Sequence, residues 1–330
     1  MTSIHDVAAL AKVSIKTVSR VVNKAPNVSD ELRQRVQGAI EQLGYRPNQS
    51  ARRLAGGRSF MIAFLYNNPA PGYVSRIQIG AAWRCRELGY HLVVEPISLG
   101  GEERFEVLDR LVAALRPDGV LLVPPLSDDA ELLDRLAEMG LPCARIAGSE
   151  EGVGFNIHTP EHAAGRTMAD HLIALGHRRI GVITPPPTHR AALRRVEGFR
   201  DGMAAAGLPE DAGLFVEGRF DFASGIEAGE ALLKRGDPPT AIFATNDEMA
   251  LGVLTLAHRM GLRVPEELSV TGFDDTSASL TSWPPLTTMR QPLEDMGRTV
   301  IDALADGPTQ PPALQFTLVQ RGSSGPAPGR

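Results

Sequence analysis

The sequence predicts an α/β protein: a small all-helical N-terminal segment followed by two doubly wound lobes of parallel sheet. Three observations lead there. At 330 residues the chain is long enough for two or three domains. The first 58 residues carry only short helical patterns. After residue 59 apolar runs of strand length alternate with amphipathic stretches, the rhythm of strand–helix–strand units with right-handed crossovers. A content of 43% hydrophobic and 22% charged residues excludes a wholly disordered chain.

In the N-terminal segment Ser3 and Asp6 form a capping-box pattern ahead of Ile4, Val7, Ala8 and Leu10 at helical spacing. Ala11-Lys12-Val13 is a tight connection. Ser14 caps a second helix whose Val18, Val21 and Val22 face inward. Pro26, within Asn23 to Asn27, ends it. Ser29 caps a third helix with Leu32, Val36, Ile40 and Leu43 as its buried stripe, and Gly44 stops it. Asn48 can cap a short helix over residues 49–55, and Gly56-Gly57 makes a joint.

The expected strands are Met61–Tyr66, His91–Glu95, Gly119–Val123, Cys143–Ile146, Ile180–Thr184, Leu214–Glu217, Ala241–Thr245 and Leu268–Phe273. Between them lie helical stretches such as Val74–Leu88, Phe105–Leu115, Glu161–Leu175 and Glu248–Met260. This number of strands suits two open lobes better than the competing closed barrel. Residues 322–330, rich in Gly, Ser and Pro, read as a disordered tail with no leucine heptad.

Composition narrows the function. Two cysteines, Cys85 and Cys143, exclude a disulfide framework or a Cys-rich zinc site and suit a reducing cytoplasm. No apolar run of membrane-spanning length and no secretory signal pattern is present, so no membrane association is expected. The net charge of −5 divides unevenly: residues 1–58 hold ten Lys and Arg against four Asp and Glu, a charge of +6, which leaves −11 for the rest. A basic head on an acidic body points to a polyanion-binding module joined to something else.

Residues 7–23 supply the candidate module. In a helix-turn-helix the second helix lies in the major groove while the first braces it. Here Ala8 allows close approach and Val13 and Val18 seal the corner. Ile15, Lys16, Thr17, Ser19, Arg20 and Asn23 are left for the DNA side.

With these residues the chain resembles the LacI/GalR family of bacterial transcription regulators. The matching stretches are IHDVAALAKVSIKTVSRVVN, VSDELRQRVQGAIEQLGYRPN, ARRLAGGRS, GHRRIGVI, RRVEGFRDGM, PTAIFATNDEMALGVL, SVTGFDD and PPLTTMRQP, in order along nearly the whole chain. The resemblance implies a helix-turn-helix headpiece over residues 1–47, a hinge helix and linker over 48–58, and an effector-binding core over 59–321. That core would be two-lobed and like a periplasmic sugar-binding protein. Lobe one would hold about residues 60–158 and 290–317 and lobe two about 159–288 with the last strand, the chain crossing between lobes three times. It also implies a homodimer on a pseudo-palindromic operator.

On this resemblance Ile15 would touch a thymine methyl and Lys16 a guanine edge, with Arg20 a second guanine candidate. Ser14, Thr17 and Asn23 would hold phosphates. The hinge residues Ala51 and Leu54 complete the DNA set, Leu54 as the wedge that family members insert into the minor groove. Ser50 stands where some relatives carry a larger apolar residue, which puts the strength of hinge-helix pairing in doubt.

Ligands of open α/β sheets bind beyond the carboxyl ends of strands. Asn67, Asn246, Asp274 and Phe220 follow strands there, with Asn68 beside Asn67 and Arg195 in a neighbouring helical stretch. A carboxylate, an amide, an arginine fork and an aromatic ring suit a sugar. Arg195, Phe220, Asn246 and Asp274 match effector-binding positions of the family; Tyr73 and Trp283 are further candidates. Asn246 can alternatively cap the helix entered through Asp247, and Arg190 or Arg194 can take the place of Arg195.

No cofactor or metal is expected. His158-Thr159-Pro160-Glu161-His162 spells an inverted zinc-protease pattern, but Pro160 is a first-turn residue, so His158 would precede the helix and share no face with His162. Adjacent Asp274 and Asp275 would point apart rather than across a substrate. Nucleophile-elbow, P-loop and dinucleotide motifs are missing. The alternatives are a sugar-binding protein without DNA function, disfavoured by the basic head, and a sugar-acting enzyme, disfavoured by the absent catalytic set.

Overall fold

Ser3 opens the first helix, α1 (Ile4–Leu10), by the expected capping box: its Oγ accepts from the Asp6 amide at 3.4 Å, and its own amide donates to Asp6 Oδ2 at 2.8 Å. The structure, a computed structural model, describes residues 2–22, 28–45, 58–67, 70–149, 152–209, 211–307 and 313–329. It divides into two units, Met1–Phe60 and Met61–Arg330.

In the first unit Lys12 turns the chain with a positive φ of 50°, and Ser14 Oγ accepts from the Thr17 amide at 3.2 Å to start α2 (Ile15–Val22). Ser29 precedes α3 (Asp30–Leu43) but makes no side-chain cap bond, contrary to expectation; Asp30 and Glu31 in the first turn supply the negative charge instead. Gly44 stops α3 in the left-handed conformation. Val7, Ala8, Ala11, Val18, Val21, Val36, Ala39 and Tyr45 form the core of this unit.

The second unit contains two sheets. The first takes β1 (Met61–Tyr66), β2 (His91–Pro96), β3 (Gly119–Leu122), β4 (Cys143–Ile146) and β5 (Phe155–Ile157) in the order β2-β1-β3-β4-β5, all parallel. Ala63, Leu65, Val120 and Leu122 pack on α5 (Glu103–Leu115) and α6 (Ala130–Glu138). Helices α4 (Pro71–Leu88) and α12 (Leu293–Asp306) pack on each other and on this sheet.

The second sheet takes β6 (Ile180–Thr184), β7 (Phe215–Glu217), β8 (Ala241–Ala244), β9 (Ser269–Asp274), β10 (Thr287–Arg290) and β11 (Thr317–Val319) in the order β11-β10-β9-β8-β6-β7; only β11 is antiparallel. Alternate residues serve opposite faces, as strand geometry dictates. Ile180, Val182 and Phe243 meet α7 (Glu161–Ala174) and α8 (Arg190–Ala205). Ile183, Ile242 and Val270 meet α9 (Phe222–Leu233) and α10 (Asp247–Arg259). A short α11 (Ser277–Thr281) follows β9.

The architecture is two open lobes rather than a barrel. The chain passes from lobe one to lobe two after β5, returns after β10 to lay α12 on the first sheet, and goes back to add β11 to the second. β5 and β10 are additions to the sequence pattern: strands of three and four residues, too brief to stand out.

The expectation of a disordered tail is corrected. Ser323 accepts from the Val270 amide at 2.8 Å through its carbonyl and donates from Oγ to Val270 O at 2.6 Å. Gly325 O lies 3.1 Å from His177 Nε2, and the Ala327 amide donates to Leu175 O at 2.8 Å. Small residues here fit a narrow path along lobe two, and composition mistook that smallness for disorder. Among the described residues no helix is long and apolar enough to cross a membrane.

Candidate functional sites: a recognition helix and a cleft between lobes

Helix α2 buries Val18 and Val21 and turns its other side outward. Ile15 is 41% exposed, an apolar side chain offered to solvent. Ser14, Lys16 and Arg20 are exposed, while Thr17 and Ser19 are half-buried. Ser14 and Thr17 hydroxyls lie 2.9 Å apart, fixing the start of the helix. The other DNA candidates, Asn23, Ala51 and Leu54, fall outside the described residues, as do Ser50, the hinge helix over residues 49–55 and Asn68.

Between the two lobes lies a cleft lined by Ala70, Tyr73, Pro124 and Ala147 on one side and by Glu161, His189, Ala191, Ala192, Arg195, Phe220 and Asp274 on the other. Its volume is about 30 Å³. Three of its residues hold positive φ without being glycine: Ala147 at 53°, Phe220 at 63° and Asp274 at 115°. Such conformations cost energy and cluster at functional sites.

Arg195 is buried and fully oriented. Its Nε and Nη2 donate to Glu161 Oε2 at 3.0 and 2.8 Å, its Nη1 donates to Thr245 O, and its Cζ lies over the Phe273 ring, 3.6 Å from the centroid. Asp274 Oδ1 accepts from Gln291 Nε2 at 2.6 Å. Burial, only partly offset by Arg195, holds the Asp274 carboxyl well above the usual carboxylate range. Burial, with Asp274 and Glu161 adding to it, also raises the Tyr73 hydroxyl, which stays a phenol.

Behind them Asp247 accepts from the Thr276 amide at 2.7 Å and from Thr288 Oγ1 at 2.6 Å; burial pushes it up to about 7. Asp275 behaves oppositely: burial is outweighed by Arg290 and Arg321, whose guanidinium groups hold its carboxyl low.

Tyr73, Arg195, Phe220 and Asp274 are therefore brought together. Asn67 and Asn246, expected as effector ligands, are not. Asn67 Nδ2 donates to Ile97 O at 2.7 Å. Asn246 caps α10, accepting from the Met249 amide at 2.9 Å, and donates to Phe220 O at 2.9 Å. Backbone groups at these strand ends claim both amides. Asn246 still acts on the cleft, by fixing the strained Phe220 backbone. Trp283 is exposed and lies by Phe222 and Leu251, away from the cleft.

Two cleft residues escaped the sequence reading. Glu161 was legible only as a member of the zinc-like pattern. Pro160, expected in the first turn, is instead the N-cap of α7, and His158 precedes the helix as expected; His162 pairs with Asp201 at 2.9 Å, and Glu161 turns to Arg195. His189 carried no signal at all. Its ring lies 4.6 Å from that of Phe220, and its buried Nε2 has no hydrogen-bond partner among the described residues. Burial, with Arg195 adding to it, lowers its pKa to about 4, so the ring is neutral near pH 7.

Comparison with known proteins places this geometry. Residues 3–48 match the family model "Bacterial regulatory proteins, lacI family", and residues 169–324 match "Periplasmic binding protein-like domain". The ribose operon repressor of Escherichia coli (strain K12) is 33% identical over 335 residues, 98% of this chain and 100% of that protein.

The chain belongs to the LacI family.

Solved structures agree with this. The lac repressor dimer bound to operator and an anti-inducer superposes with a TM-score of 0.78 at 31% identity, covering 98% of this chain and 99% of that one. The regulator CelR in complex with cellobiose does so with a TM-score of 0.73 at 33% identity, covering 98% and 100%. As a LacI-family protein the chain is a DNA-binding transcriptional regulator and not an enzyme.

Proposed function

We propose that this LacI-family regulator is a cytoplasmic repressor that binds an operator as a homodimer, one headpiece per half-site, with an affinity set by a sugar in the cleft. Ile15, Lys16 and Arg20 read bases, while Ser14, Thr17, Ser19 and Asn23 fix register on the phosphates. Ala51 and Leu54 act at the operator centre. Tyr73, Arg195, Phe220 and Asp274 hold the sugar.

The observation that carries the reading is the meeting of those last four residues, from both lobes, around one cleft. Relatives support each part: one is a repressor of a ribose operon, one was solved as a dimer on its operator, and one was solved with cellobiose. The narrowness of the cleft supports a two-state core, because ligand pockets usually enclose about 300–1,000 Å³ and a sugar therefore needs the lobes further apart. A ligand that prefers one lobe spacing shifts operator affinity by that preference, typically about 1–3 kcal/mol.

A panel of free sugars, tested for their effect on operator binding, identifies the effector. With it in hand, Asp274→Ala should abolish the response while operator affinity without sugar stays within twofold. A normal response in that variant would remove Asp274 from the site.

A further inference from the structure

Resting on that reading, we propose that the cleft accepts an electrically neutral sugar or polyol and turns away phosphorylated or carboxylated ones, and that Glu161 imposes this choice. Three helices begin at the cleft: α4 after Ala70, α7 at Glu161 and α8 after His189. Helix N-termini attract anions, and an arginine among them would complete an anion site. Glu161 fills that role from within the chain.

Its Oε2 takes the Nε–Nη2 edge of Arg195, the edge with two parallel N–H groups that a phosphate or carboxylate would use. Nη1 is directed to Thr245 O, and the flat face is closed by Phe273. No lysine and no second arginine line the cleft among the described residues. An incoming anion would meet the Glu161 carboxylate and one guanidinium already paired. A hydroxyl instead finds the unpartnered Nε2 of His189, which in the neutral ring donates or accepts according to tautomer. The pairing also fixes Arg195, so Glu161 serves as a specificity residue through a partner rather than by direct contact alone.

The test uses the full-length wild type, Glu161→Gln and Glu161→Asp. Titration calorimetry is run with inorganic phosphate, ribose, ribose 5-phosphate, glucose and glucose 6-phosphate. Wild type and Glu161→Asp should bind phosphate no better than at tens of millimolar, and neither phosphorylated sugar should bind more tightly than its parent. Glu161→Gln should gain at least tenfold in affinity for inorganic phosphate. The proposal is overturned if wild type prefers a phosphorylated sugar to its parent, or if Glu161→Gln gains nothing. Should Glu161→Gln fail to fold by circular dichroism, the melting temperature of wild type in 10 mM phosphate at constant ionic strength decides: no rise supports the proposal and a clear rise sinks it. A wild type whose operator affinity answers to no sugar would defeat the sugar-response reading and leave the phosphate result standing.

Discussion

Gly165 in α7 lies against the carbonyl oxygen of Arg195 in α8: a Cβ at position 165 would stand 1.8 Å from that oxygen. The contact is reciprocal, since a Cβ on Gly198 of α8 would meet His162 O of α7 at the same distance. Two bare glycines thus bring the helix backbones together, and that closeness lets the Arg195 side chain reach Glu161 at the start of α7.

Gly165→Ala should therefore destabilise the protein by about 1–3 kcal/mol, the usual cost of forcing packed elements apart. Urea unfolding measures it. Gly38→Ala in α3 is the control: nothing lies within 4 Å of the added methyl, and stability should rise by about 0.5–1 kcal/mol.

Arg195→Ala leaves the Glu161 carboxylate buried without its partner and should cost about 3–5 kcal/mol. Replacing both, as in Arg195→Met with Glu161→Leu, should recover most of that loss, because two desolvated charges disappear together. A double-mutant cycle in urea gives the coupling; a double variant no more stable than Arg195→Ala would contradict it.

Two opposed titrations act on stability. Asp247 has a folded pKa of about 7 against an ordinary 3.8, so it binds its proton more tightly when folded and stability is lost as pH rises from about 4 to 7. His189 has a folded pKa of about 4 against 6.5, so stability is lost as pH falls from 6.5 to 4. Over pH 4–6.5 the two slopes oppose. Asp247→Asn should make the melting temperature climb more steeply with pH in that window than in wild type, and His189→Gln should make it climb less or fall.

Lys16→Ala should relax base preference at one position of each half-site by about 1–3 kcal/mol. Competition binding against an operator library is the measurement. An equal loss over all sequences would instead make Lys16 a phosphate contact.

Deleting residues 322–330 should lower stability by at least about 2 kcal/mol, since the Val270 amide and the ring of His177 lose partners inside lobe two. An unchanged melting temperature would show the segment to be dispensable.

Much of this was legible from patterns that local physics enforces. Ser3 with Asp6, Gly44 and the buried valines of α2 behave as spacing alone dictates, because caps and amphipathic faces depend on neighbours in sequence. So do the all-buried strands such as β3 and β8. What escaped depended on distant partners. Glu161 reads as an ordinary first-turn acid until Arg195, 34 residues away, is placed beside it. Asn246 at a strand end fits ligand or cap equally well, and only the position of Phe220 O decides. His189 acquires meaning from a ring and a cavity that no spacing encodes, and the terminal segment from a groove on lobe two that composition does not describe.

The return of the chain from β10 into α12, and then back to β11, has a consequence for how the protein is made. The first lobe emerges from the ribosome without α12, one of the helices packed on its sheet, and the second without its edge strand and the peptide around His177. Both must wait, partly uncovered, until the segments after β10 have been translated. Cutting the gene between the lobes would yield no self-sufficient half, so a split-protein reporter or a domain swap must carry residues 291–306 with the lobe they serve rather than with their neighbours in sequence.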